Sequence, residues 1–283
     1  MIATQPLPQR TDRHTPPVSA PLMSAPLIGR KAFVAMIMGM PISLHVRAED
    51  PARADVAAAA ENVFALLRKV DDLFSMWRED SEIRRIQSGL LPVGAGHDWQ
   101  GDVLALALEA EERTDGLFSA WYAARPAPVP TGAPAAAGGR WYDPTGLVKG
   151  WAVEQAAHLL RVVPRISFCL SAGGDMVVDV GRGMTGIAPA WRIGIESPSV
   201  PGSVTAVRSV RTGAIATSGA AARGAHIVDP RSAAPIDRPG SATVVGPSLV
   251  WADVWATAAF VDPERAATLM ATRAPGYELI LRP

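Results

Sequence analysis

Ala214-Ile-Ala-Thr-Ser-Gly-Ala-Ala-Ala-Arg-Gly-Ala-His-Ile-Val-Asp-Pro-Arg231 sets a hydroxyl pair, turn glycines, a histidine and an aspartate between apolar, strand-like segments. Further on, Trp251-Ala-Asp-Val-Trp-Ala-Thr-Ala258 places Asp253 and Thr257 four residues apart, on one face of a helix. Strands linked by glycine turns and interrupted by helices are the signature of an α+β fold. The same residues carry chemistry. Glycines beside a lone histidine suit a backbone that approaches a ligand closely. A carboxylate and a hydroxyl at i, i+4 suit a hard cation that holds phosphates. Each piece also has a plainer reading: a hydrogen-bonded structural histidine, Asp253 as the cap of a helix running to Phe260, and Thr-Ser-Gly as an ordinary turn. Their occurrence together, in one order, favours a site.

The other elements extend outward from this stretch. Downstream of it lie a strand at Ala242 to Val245, helices at Ala252 to Phe260 and Pro263 to Thr272, and a strand at Tyr277 to Leu281. Upstream, strands are expected at Ile166 to Leu170, Met176 to Val180, Trp191 to Ile195, Val204 to Val210 and Ile215 to Thr217. Lys149 to Arg161 reads as a helix, as does Asp102 to Thr114, stopped by Asp115-Gly116. A longer helix is expected from Pro51 to Phe74, with Asp50-Pro51 as cap and first turn. Its apolar stripe is Val56, Ala60, Val63, Leu67, Val70 and Phe74. Phe33 to Met38 and Ile42 to Val46 form a strand pair broken at Gly39-Met40-Pro41, and Ala123 to Gly139 reads as an Ala/Pro/Gly loop.

Composition limits the function classes. The 283-residue chain is 48% hydrophobic, ample for a core, and its 27 basic side chains balance 27 acidic ones. No overall field draws it to nucleic acid or anionic membrane. Cys169 is the single cysteine, so no intrachain disulfide is possible, and its apolar surroundings predict a small buried hydrophobe. Residues 1–30 carry six prolines and no sustained apolar period, and read as a disordered lead before one catalytic domain over 31–283. The segment Ala32 to Leu44 is too short, and too broken by Gly39 and Pro41, for a signal peptide or a membrane span. A cytoplasmic location with no integral membrane segment is the expectation.

With these positions set, the chain resembles the ApbE family, the FAD:protein FMN transferases, from about Phe33 to the C-terminus. Seven ordered blocks carry the resemblance: Met38-Gly-Met-Pro41, Phe74-Ser-Met-Trp-Arg-Glu-Asp-Ser-Glu-Ile83, Asp143-Pro-Thr-Gly-Leu-Val-Lys-Gly-Trp-Ala-Val153, Ser171-Ala-Gly-Gly-Asp175, Trp191-Arg-Ile-Gly-Ile-Glu196, Ala216-Thr-Ser-Gly219 with His226-Ile-Val-Asp-Pro-Arg231, and Ala252-Asp-Val-Trp-Ala-Thr257. The fold it implies is a T-fold-like arrangement of mixed sheets packed with helices.

The resemblance implies Mg²⁺ held by the side chains of Asp253 and Thr257 and the backbone carbonyls of Gly146 and Ala256. It implies flavin-nucleotide contacts at Met38, Trp77, Ser119, Asp143, Lys149, Gly173, Gly174, Thr217 and Ser218, with Trp77 suited to stacking and Lys149 to phosphate charge. The implied reaction transfers FMN from FAD to a Ser or Thr hydroxyl of an acceptor protein and releases AMP. A hydroxyl is a weak nucleophile, so it needs a base, and His226 is the candidate. Asp229 either orients His226 or serves as a turn residue before Pro230.

Departures from the family pattern fall on Ser119, where relatives carry Asp, on Pro144, Thr145 and Ser171, and on the short stretch between Gly116 and Asp143. Two other functions fit the same residues. A Mg²⁺-dependent FAD pyrophosphatase would use water as nucleophile, and a non-catalytic flavin-binding protein would hold FAD without turnover.

Overall fold

A computed structural model describes residues 28–122, 140–184, 186–220, 227–232 and 234–283. His226 and the Ala123 to Gly139 stretch lie outside these residues. The chain opens with the hairpin β1 (Gly29–Ile37) and β2 (Met40–Ala48), followed by α1 (Ala54–Phe74), α2 (Glu82–Gln87) and α3 (Asp98–Arg113). The short strands β3 (Trp121–Tyr122) and β4 (Trp141–Tyr142) precede α4 (Thr145–Arg161). The second half runs β5 (Ser167–Ala172), β6 (Asp175–Asp179), β7 (Trp191–Glu196), β8 (Val204–Val210), β9 (Thr212–Gly219) and β10 (Ser241–Gly246), then α5 (Leu249–Val261), α6 (Pro263–Arg273) and β11 (Glu278–Arg282).

The main sheet has seven strands in the order β1-β2-β5-β6-β9-β10-β11, and every ladder in it is antiparallel. Hairpin neighbours therefore alternate with two crossovers, β2 to β5 and β6 to β9. Helices α1, α4 and α5 lie side by side on one face, α5 against β9 and β10 and α4 against β5 and β6. The predicted stripe of α1, Val56 through Phe74, is buried in that layer. Helix α5 is apolar on all sides and correspondingly buried all round, with Asp253 as the charge in its middle. The opposite face carries the β7–β8 hairpin, packed through Trp191 and Ile193 onto Cys169, Val178 and Ile215. Trp191 Nε1 donates to Ser167 Oγ at 3.0 Å. Cys169 is buried as expected, and burial pushes its thiol up to about 11.

Several boundaries differ from expectation for local reasons. Strand β1 begins at Gly29 rather than Phe33, because Gly29 and Arg30 pair with Ala48 and Arg47; residues 1–27 of the expected lead lie outside the described residues. Asp50 does not cap α1. Its Oδ1 accepts from Ala52 N at 2.9 Å in a preceding turn, and the helix starts at Ala54. Helix α4 begins at Thr145 rather than Lys149, because Asp143 Oδ1 accepts from Thr145 N at 2.9 Å and from Thr145 Oγ1 at 2.6 Å, organising the first turn in place of a longer loop. The first hairpin turns at Met38-Gly39, one residue before the expected break. Both residues have positive φ, 54° and 69°, as a two-residue type I′ turn between paired Ile37 and Met40 requires.

Candidate functional site

A cavity of about 650 Å³ opens where the ends of α1, α4, β9 and the β1–β2 turn meet one face of α5. Its walls bring together most of the residues singled out in the sequence: Met38, Trp77, Ser119, Asp143, Gly146, Lys149, Gly173, Thr217, Ser218, Asp253 and Thr257. That size lies within the usual range for small-molecule sites, roughly 300–1,000 Å³.

The floor is charged. Asp253 is 3% exposed and Asp175 is 1% exposed, and Lys149 reaches between them from α4. Its Nζ forms an ion pair with Asp175 Oδ2 and stands 3.7 Å from Asp253 Oδ2. Burial pushes the Asp253 carboxyl up to about 7; the Lys149 cation opposes the rise and the Asp175 charge adds to it. Helices α4 and α5 approach closely here because Gly150 lacks a side chain. A Cβ at that position would meet Asp253 Cβ and Oδ2 at 3.1 Å and the Leu249 carbonyl at 3.2 Å.

Hydroxyls line the next level. Ser218 Oγ, at the end of β9, and Thr257 Oγ1, one turn along α5 from Asp253, share a hydrogen bond of 3.1 Å. Thr217 presents its side chain on the other side of β9, 2.9 Å from Thr243 Oγ1, and its N–H donates to Asp175 Oδ1 at 3.0 Å. The i, i+4 spacing of Asp253 and Thr257 thus does what the sequence suggested, turning both oxygens toward one cavity.

At the mouth, Trp77 is 70% exposed and presents its ring at the cavity entrance. Met38 sits opposite in its left-handed turn, where its N–H donates to Asp71 Oδ2 at 3.2 Å. Ser119 Oγ accepts from Trp121 N at 3.0 Å and donates to the Trp121 carbonyl at 3.1 Å, so it shapes the wall through the backbone. Asp143 is raised above the ordinary carboxylate range by burial, against the two Thr145 hydrogen bonds that stabilise its charge. Burial and the Asp143 charge raise the Tyr122 phenol, which also lines the cavity.

Not every expected residue comes to the cavity. Gly173 lines it at φ 58°, whereas Gly174, at φ 97°, turns away beside it. Ala256 is fully buried inside α5 and is not among the lining residues. Asp229 engages its own turn: Oδ1 accepts from Arg231 N at 2.9 Å and from Arg231 Nε at 3.0 Å, and Oδ2 from Arg231 Nη2 at 2.9 Å. The Arg231 hydrogen bonds hold the Asp229 carboxyl below its ordinary range. Its neighbours Val228 and Pro230 do reach the cavity, and His226 falls outside the described residues.

Asp71 and Tyr122 line the cavity, and Asp175 lies behind Lys149, without having been singled out as contacts in the sequence reading. For Asp175 a signal existed, since it directly follows the turn glycines Gly173 and Gly174. Asp71 and Tyr122 gave none, because a helix position and a residue beside a Pro-rich stretch carry no local mark of a cavity.

The family model described as the ApbE family matches residues 38–124 and 138–281. Among curated proteins, an FAD:protein FMN transferase of Vibrio cholerae is 28% identical over 259 residues, 76% of this chain and 77% of that protein. One from Klebsiella pneumoniae is 31% identical over 129 residues, a match that spans 42% of this chain and only 36% of the Klebsiella protein. Among solved structures, the flavin transferase ApbE from Vibrio cholerae superposes with a TM-score of 0.69 at 23% identity, covering 90% of this chain and 98% of that one. The ApbE protein of Thermotoga maritima gives 0.71 at 18% identity, over 89% and 94% of the two chains. These superpositions establish a shared fold.

Proposed function

The chain belongs to the ApbE family, and from that premise we propose that it transfers FMN from FAD to a Ser or Thr hydroxyl of an acceptor protein, with Mg²⁺ bound and AMP released. The observation that carries this reading is one cavity holding a ring surface at its mouth, Trp77, and a cation–carboxylate cluster with paired hydroxyls at its floor. A flavin dinucleotide needs those features together: an aromatic face for the isoalloxazine and charge control at the pyrophosphate.

The floor suits a hard divalent cation. Asp253 Oδ2 is buried without a hydrogen-bond partner, and the oxygens nearby are hydroxyls of Thr257 and Ser218. Among the described residues no three His, Cys, Asp or Glu side chains converge, and Mg²⁺ is commonly held by one or two carboxylates plus substrate phosphates. Asp253 and Thr257 would hold the ion with help from the Gly146 carbonyl; Ala256, buried within α5, is the less accessible of the two backbone ligands. When bound, the ion supplies charge neutralisation on the pyrophosphate oxygens.

Lys149 adds a second positive charge at the same level, and Ser218 offers its hydroxyl to phosphate oxygens, while Thr217, whose hydroxyl bonds Thr243 on the other side of β9, meets the cavity through its backbone. In the transfer step the acceptor hydroxyl oxygen forms a bond to the FMN phosphorus and the bridging P–O bond breaks. AMP leaves with that bond's electron pair, and the hydroxyl proton passes to His226.

Incubating the purified chain with FAD, Mg²⁺ and an acceptor protein bearing an exposed Ser/Thr segment, followed by intact mass analysis, tests the proposal. One added FMN on the acceptor is the expected result. FMN and AMP in solution with an unlabelled acceptor would make the chain a pyrophosphatase, and FAD retained unchanged would make it a binding protein.

A further inference from the structure

Asp175 has no role in the reaction as described so far, yet it is a fully buried carboxylate that meets the cavity through its ion pair with the lining residue Lys149. It stands at the start of β6, where the pair Ala172–Asp175 closes the Gly173-Gly174 turn. One of its oxygens accepts from Thr217 N on β9 at 3.0 Å, and the other forms the ion pair with Lys149. Lys149 in turn lies 3.7 Å from the carboxylate that would carry the metal ion.

We infer that Asp175 is a positioning residue that draws the Lys149 ammonium away from Asp253, leaving that carboxylate available to a divalent cation while fixing the Thr217-Ser218 backbone beside it. The inference rests on the metal reading of Asp253 given above. The electrostatics follow from counting charges. With Asp175, Asp253 and Lys149 all ionised, the cluster carries one net negative charge, and the ammonium is shared toward Asp175. With Asp175 replaced by a neutral amide, the charges of the three groups sum to zero and the ammonium, having lost that carboxylate, is drawn more strongly toward Asp253. The lysine then occupies the position of the metal ion as its competitor. Thr217 and Ser218 are coupled to the same choice, because the Asp175 oxygen that accepts from Thr217 N fixes the strand end that carries Ser218 to Thr257.

Mg²⁺ binding to the full chain without FAD, measured by calorimetry at about pH 8 where Asp253 is ionised, separates the possibilities. Four forms are compared: wild type, Asp175→Asn, Lys149→Gln and the double variant. Asp175→Asn is expected to weaken Mg²⁺ by about tenfold or more, since one unit charge a few ångströms away is removed and another is redirected. The double variant is expected to return to within about threefold of wild type, because its net charge is again one negative and no ammonium competes. Lys149→Gln alone should bind Mg²⁺ more tightly than wild type.

Asp175→Asn binding as tightly as wild type, or a loss that Lys149→Gln does not rescue, would overturn the inference; in the second case Asp175 is only a structural tie. A wild-type chain that binds no Mg²⁺ would overturn the metal reading, and this inference with it. Circular dichroism of each variant identifies any loss of folding; should Asp175→Asn not fold, Lys149→Gln binding Mg²⁺ no more tightly than wild type would overturn the inference.

Discussion

Asp253 combines deep burial, a nearby cation and a nearby carboxylate, so its ionisation bears on stability and, in the proposed reaction, on metal binding. Its folded-state carboxyl, pushed up to about 7 by burial, lies above its ordinary value of 3.8. A raised pKa contributes stability that is fully present below the ordinary value and is lost as pH rises through the folded one. The metal-free chain is therefore expected to lose thermal stability between about pH 5 and pH 8, and Asp253→Asn to lose less over the same range. Mg²⁺ pairs with the ionised form, so its stabilising shift in melting temperature should be several-fold larger at about pH 8 than at about pH 6. A shift that is independent of pH would show that Asp253 does not hold the ion.

The other residue-scale expectations separate binding from chemistry. Trp77→Ala removes an exposed ring, so FAD affinity should fall by about tenfold, on the scale of one lost stacking contact, with melting temperature unchanged. His226→Ala should lose about 10²- to 10⁴-fold in transfer while FAD and Mg²⁺ affinities hold. If that variant instead melts early and binds poorly, the histidine is structural. Asp229 is already held in its own turn, because Arg231 donates hydrogen bonds to both of its oxygens.

At the scale of elements, the seam between α4 and α5 sets the floor of the cavity, and Gly150 sets the seam. Gly150→Ala would gain about 1 kcal/mol in helix propensity, yet its methyl would press on Asp253 and the Leu249 carbonyl in a helix that is buried all round. Overpacking of about 1–3 kcal/mol wins, so chemical denaturation should show a net loss of about 0.5–2 kcal/mol together with weakened Mg²⁺ binding. Unchanged stability would mean that the seam can open.

The helix α1 was legible in the sequence because its apolar residues recur at helical steps over five turns, and each of those expected to be buried is buried. Helix α2 was not, since Glu82–Gln87 is too short for a period to emerge. The start of α4 was missed for a different reason. Gly146 and Pro144 look like breakers in one dimension, but Asp143 and Thr145 close the turn around them.

Across the whole molecule, pattern marked the strands of the main sheet and of the β7–β8 hairpin but not the two-residue strands β3 and β4, and it did not say which strands of the sheet lie side by side. Hairpins such as β1–β2 and β9–β10 differ in this respect from the β2–β5 and β6–β9 ladders, which join segments far apart in the chain. Periodicity says which face of a strand is buried and nothing about which strand lies beside it. The site suffered less from this limit. Lys149, Ser218, Asp253 and Thr257, marked in the sequence by chemistry and by ordered blocks, line one cavity. Asp71 became visible only through the fold, as support for the Met38 turn, and the Asp175–Lys149 pairing likewise, although the turn glycines before Asp175 had marked its place.

In the proposed reaction, cleavage of FAD and labelling of an acceptor are one event in this cavity. The most direct measurement counts AMP released against FMN attached to the acceptor, for wild type and for Asp253→Ala, over one time course. Equal amounts of the two products from wild type, and neither from a correctly folded Asp253→Ala, is the result predicted here. AMP appearing in excess of labelled acceptor, or labelling that persists in Asp253→Ala, would contradict it.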